Sequence, residues 1–279
     1  MSEVLFSQII FFLAVGWLFF FPGYLIVSAT VGHALTPLEK IVLSPVFGLV
    51  FVNFAVLAAG ASGVSIDRDL ALFIPSLALL FPLSTRLFRS FDRQEKKEDF
   101  PSSLLLETRA AILAGLIIAS ALLTKTVFLG NTIFPTATDL GHHLFWVQKI
   151  ISEEKLPVYQ KQKISTNGEE ISLGQPEPIA DFIIGEHIPF ALLARLTGGD
   201  LFGPEPVLFL SLLNIFSFLA LYVLARRLFA HLPYARAAAL LVLALGAALW
   251  AVSGPQSKFV SGGVIGNVMG NLFIPSVWL

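Results

Sequence analysis

The chain contains no cysteine, which excludes disulfides and thiol chemistry and leaves the redox compartment unread. Charge is scarce as well: Asp, Glu, Lys and Arg make up 13% of the 279 residues, where soluble domains carry roughly a quarter. The 18 basic and 19 acidic residues nearly cancel, to a net charge of −1, so there is no electrostatic footprint for nucleic acid. No Lys or Arg precedes Lys40. The first apolar run, Val4 to Ala29, therefore has Glu3 where a signal peptide has its basic leader, and it is too long for a signal-peptide core; it reads as a retained span. What the chain does have is apolar bulk, with 56% hydrophobic residues, 26 Phe and a mean hydropathy of +0.80. That composition defines an integral membrane protein, expected to be an all-α polytopic helix bundle.

Apolar runs long enough, or nearly so, to cross about 30 Å of hydrocarbon lie near 4–29, 38–60, 69–88, 109–128, 206–228 and 234–252, and another begins near 264. About seven spans are expected, the last running into Leu279, so that the chain reads as a truncated one. Basic residues in short loops set orientation. Arg86, Arg89, Arg93, Lys96, Lys97 and Arg109 fall in one connection, and Arg226, Arg227 and Arg236 in another, which places both in the cytoplasm. The region 129–205 is then extracytoplasmic, as is the N-terminus. The mixed-sign run "RQEKKED" (93–99) separates a three-span unit, 1–95, from a second unit, 105–279. Pro22-Gly23 should kink or loosen the end of the first span.

Within the outer region two helices are expected, 139–154 and 187–197, joined by the polar loop "KQKISTNGEEISLGQPEP". The stretch "FIIGEHIPFALLARL" (182–196) reads as a helix lying in the interface with its polar residues toward the headgroups. The first outer helix opens on Asp139, with His142, His143 and Trp146 at i+3, i+4 and i+7 on the same face. A carboxylate held at the lipid–water boundary can serve as a general base toward a hydroxyl. The same residue, beside Thr138 and shortly after Pro135, also reads as a helix cap. The histidines read as an interfacial polar face or as two metal ligands, although spacing fixes no third ligand. Glu177, Asp181, Glu186 and His187 are further outer-loop groups able to hydrogen-bond a sugar. Gly262, Gly266 and Gly270, with Asn267 and Asn271 beside them, read as close helix packing or as a polar groove for a lipid.

The order of elements "TDLGHHLFWVQKIISEEKLP", "FALLARLTGG", "NIFSFLALYVLARRLF" and "AAALLVLALGAALWAVSGPQ" resembles the multi-pass GT-C glycosyltransferases over roughly 109–279. The resemblance implies transfer of a hexose or pentose from a polyprenyl-phosphate donor to a glycan, lipid or protein acceptor. The reaction would take place on the extracytoplasmic face of a prokaryotic inner membrane. Asp139 would be the essential acidic residue, with His142, His143, Trp146, Glu186, His187 and Lys258 around the substrates, Lys258 for the donor phosphate; a snorkelling Lys at a helix end is the other reading of Lys258. Members resembling oligosaccharyltransferases carry a second acidic motif in the next outer loop. "SGPQSKFVSGG" (253–263) has no Asp or Glu, so a metal-dependent variant is not supported and no cofactor beyond the lipid-linked donor is implied. The family's later spans and outer C-terminal domain, which help form the acceptor site, are not in this sequence.

Two other classes stay open. A transporter or flippase for lipid-linked glycans would bury ionisable residues near the midplane, whereas the span interiors offer mainly Asn53 and Asn214. A non-catalytic assembly subunit would keep its biological activity without the Asp139 carboxylate.

Overall fold

The computed structural model describes residues 2–89, 107–129, 138–159, 162–166, 169–173, 177–178, 182–199, 201, 203–252 and 264–279. Four described helices are long and apolar enough to cross a bilayer: Phe6–Thr30, Pro37–Ala61, Thr108–Lys125 and Glu205–Leu228. The 25 residues of each of the first two rise about 37 Å, more than the hydrocarbon core requires. The fold thus defines an integral membrane protein.

The first of these helices is composite. α1 (Ser2–Val15) runs through a π turn (Gly16–Phe20) into α2 (Phe21–Thr30) as one uninterrupted helical run. Pro22 is the cause we assign. It has no N–H, and its ring would press on the carbonyl four residues back, so widening the preceding turn lets the helix continue. The N–H of Phe21 accordingly bonds the carbonyl of Gly16, five residues back. The expected kink or loosening takes the form of a π turn.

α3 (Pro37–Ala61) starts where the sequence "TPLE" says it should. Thr36 accepts from the Glu39 N–H at 3.4 Å and its own N–H reaches the Glu39 carboxylate at 2.6 Å, a reciprocal capping box with Pro37 preset for the first turn. Glu39 is buried and also receives the guanidinium of Arg227, whose second arm donates to the Ala34 carbonyl at 2.7 Å. Arg227 sits at the end of α9 (Glu205–Leu228), so this pair joins the start of α3, the 31–36 turn and the end of α9. Removing one partner of a buried pair strands the other. Arg227→Met is expected to lower stability by about 3 kcal/mol, read as thermal unfolding in detergent, and Glu39→Leu added to it should recover only part of the loss, because it removes the stranded charge but also the acceptor of the Thr36 N–H.

The run 69–88 is not one helix. It forms α4 (Arg68–Leu77) and α5 (Leu80–Arg89), ten residues each, broken after Pro75. α4 packs on the π turn and α5 on α2, so the pair follows the first composite helix along its length. α6 (Thr108–Leu129) is the most peripheral of the long helices, packing mainly on α10 (Ala235–Val252), with Arg236 bound to Glu107 at their shared end. α10 and α11 (Val264–Val277) both pack on α9. One continuous cluster of buried residues runs from Phe11 through Leu49 and Phe209 to Leu272, linking helices from both ends of the sequence.

The expected polar loop is instead a ribbon. β1 (Val158–Tyr159) pairs antiparallel with β4 (Glu177–Pro178), and β2 (Gln162–Thr166) pairs with β3 (Glu169–Leu173). Only Asn-Gly stands between the paired Thr166 and Glu169, the dipeptide that favours a two-residue hairpin.

Candidate functional site

The ribbon connects α7 (Thr138–Glu153) to α8 (Phe182–Thr197), and these two helices carry the residues singled out in the sequence. Their ends lie away from the Arg227–Glu39 clamp. The turn after α3 meets the end of α7, where the Ile66 N–H donates to the Glu154 carbonyl at 2.7 Å. Ser7 at the start of the first helix donates to Glu205 at the start of α9, 3.3 Å away, next to the end of α8.

The polar residues of α8 do not turn outward toward headgroups as expected. Residues 186–193 are all buried, because α8 is surrounded by α1, α3, α4, α7 and α11. A helix this apolar packs in a core, and Glu186 and His187 are buried with it. Nδ1 of His143 on α7 lies 2.8 Å from Nε2 of His187 on α8, with ring centroids 5.0 Å apart. The same Nδ1 is 3.9 Å from the Glu186 carboxylate. All three side chains are buried. A nitrogen–nitrogen hydrogen bond needs one N–H and one lone pair, so the pair holds one proton between the facing atoms.

The spacing suits a shared proton better than a metal. Two nitrogens on one tetrahedral zinc stand about 3.3 Å apart, and among the described residues no group of three His, Cys, Asp or Glu is placed to hold an ion.

A second link lies two turns further along. Arg195 donates to the Ile151 carbonyl and pairs with Glu154 at 2.9 Å. Glu154 also accepts from Ser65 at 2.9 Å, and its backbone is left-handed, with φ of 54°. Non-glycine residues enter that region at a cost of about 1 kcal/mol, offset here by the bonds from Arg195, Ser65 and Ile66. Glu154→Ala loses the side-chain bonds and keeps the strain, whereas Glu154→Gly relieves it. The glycine variant should therefore melt higher than the alanine variant by roughly 1 kcal/mol in thermal unfolding.

Of the other sequence candidates, Asp139 is the second residue of α7 and His142 lies in its next turn, while their side chains, like that of Glu177, fall outside the described residues. Asp181, Lys258 and Gly262 are outside them altogether, as are the surroundings of Gly266 and the side chain of Asn267. Trp146 is half-buried, edge-on to Phe145, with the Lys149 ammonium 5.7 Å from its ring.

Gly270 has open space where a side chain would stand, so close packing does not account for it. Asn271 lines a cavity of about 560 Å³ with Asn214 and Ser217 of α9 and Trp250 of α10. The sequence reading passed over Lys125, the one charged residue in the run 110–129. It is buried, with its ammonium 5.0 Å from the Trp250 ring. Its isolation inside an apolar run was the signal.

Compared with protein-family models, with curated proteins and with solved structures, the chain gives no match.

Proposed function

We propose that this chain is a membrane glycosyltransferase unit of GT-C type, taking a sugar from a polyprenyl-phosphate donor to a hydroxyl- or amide-bearing acceptor on the extracytoplasmic face. In this reading 129–205 is the outer region of a seven-crossing bundle, with α4 and α5 together making the third crossing and α10 and α11 two more. Asp139 is the base on the acceptor, set in the first turn of α7. The polyprenyl chain lies in the cavity between α9, α10 and α11. Lys258 faces the phosphate in the outer connection between α10 and α11.

The observation that carries the reading is the buried His143, Glu186 and His187 cluster, which lies one helical turn from Asp139 and remote from the Arg227–Glu39 clamp. Polar groups this concentrated on two helices, beside long crossings with few ionisable residues, favour chemistry at one end of the bundle over passage through it. The test uses membranes carrying the gene in its full length and a panel of radiolabelled polyprenyl-phosphate hexoses and pentoses. Transfer above membranes lacking the protein supports the reading. A panel with no transfer would move the assignment to a transporter or an assembly subunit.

A further inference from the structure

His143, Glu186 and His187 read in sequence as a sugar-binding wall, but their burial points elsewhere. His187 has no exposed surface, and His143 and Glu186 keep 7% each. A side chain that reads a sugar hydroxyl needs an open edge, and here the polar edges of α7 and α8 face one another.

The two bonds between these helices have the same sequence offset. His143 meets His187 and Ile151 meets Arg195, each 44 residues apart. Helices linked at a constant offset run parallel, and two links eight residues apart, just over two turns, fix both the slide and the roll of α7 on α8. The Arg195 link holds the far end of α7. The histidine link holds the end that begins with Asp139, four residues before His143 and on the same face. The Glu186 carboxylate stands 3.9 Å from Nδ1 of His143, beside the histidine link.

We infer that His143, Glu186 and His187 are positioning residues for the transfer step: they set the roll of the first turn of α7, and so the aim of the Asp139 face, without touching donor or acceptor. This rests on the reading of Asp139 as the acting carboxylate. A roll error of about 1 Å at a reacting group costs on the order of a hundredfold in rate, so the latch matters although it is remote from the chemistry.

The test has two arms on the full chain in detergent or nanodiscs. With only five histidines to label, ¹⁵N-imidazole spectra of the wild type should show a through-bond coupling between two ring nitrogens, lost in His187→Gln. A wild type without the coupling overturns the latch, whatever the kinetics. In the second arm, His187→Leu should lower kcat about a hundredfold with KM unchanged, and His187→Gln, which retains a hydrogen-bonding amide, should recover much of it. A raised KM with unchanged kcat would make these residues substrate ligands and overturn the proposal, as would a glutamine variant as slow as leucine. If Asp139→Asn transfers as well as wild type while the coupling is present, the reading of Asp139 fails and the latch survives as architecture only. If no donor in the panel is transferred, the positioning role falls together with the transferase.

Discussion

Asp139→Asn should lower sugar transfer by roughly 10²- to 10⁴-fold, the range a general base contributes, and lower stability by no more than about 1 kcal/mol, the helix-dipole contribution that goes with the charge. The substitution separates the two meanings of the residue. Asp139 is the second residue of α7, where a carboxylate both satisfies free N–H groups and complements the helix dipole. Asparagine caps nearly as well as aspartate, so a capping role survives the change. A base does not survive it, because an amide takes no proton from an acceptor hydroxyl. Asp139→Ala removes both functions and should cost a further 0.5–2 kcal/mol in stability. Equal transfer by wild type and Asp139→Asn at matched expression would reduce Asp139 to a cap.

Much of the helical layout was legible because apolar length and capping chemistry are local. The run 38–60 became α3 with its "TPLE" capping box, and 206–228 became α9, almost residue for residue. The run 69–88 misled because composition hides its periodicity: the apolar residues of α4 and α5 lie on one face of each, and the chain turns at Ala78 and Leu79 between them. α8 misled for the opposite reason. Its Glu186 and His187 were assigned to headgroups on the rule that polar residues seek water, yet a buried partner serves equally well when it is hydrogen-bonded. That partner, His143, is 44 residues away, and no spacing rule in one sequence joins the two. The hairpin was legible and overlooked, since Asn167-Gly168 is its signature. Half of the site could thus be read from α7 alone, through the i, i+4 relation of Asp139 and His143, and the other half needed the fold.

Gly48→Ala should leave little or no folded protein. A side chain at Gly48 would stand 1.8 Å from the carbonyl oxygen of Phe19, and one at Gly23 would stand 1.7 Å from that of Ser44. Both obstacles are backbone, so no rotamer change relieves them and the helices must part. Ser44 and Gly48, four residues apart, form the small-residue surface on which the first helix rests; in a bilayer such close approach is itself the cohesive force, since lipid competes with every looser apolar contact. The carbonyl that meets Gly48 belongs to the π turn that Pro22 imposes, so the wide turn and the glycine on α3 are matched features of one crossing. The loss should exceed the 1–3 kcal/mol usual for overpacking by movable side chains, and size-exclusion profiles of a fluorescent fusion would register it as aggregate. Gly115→Ala is the control, because nothing lies within 4 Å of that position on α6; it should elute as wild type. If Gly48→Ala did so as well, the close crossing would be wrong. α3 packs directly on α8, so a Gly48 variant that did fold would displace the helix holding His187. The resulting loss of transfer would trace to a site distant from it in sequence.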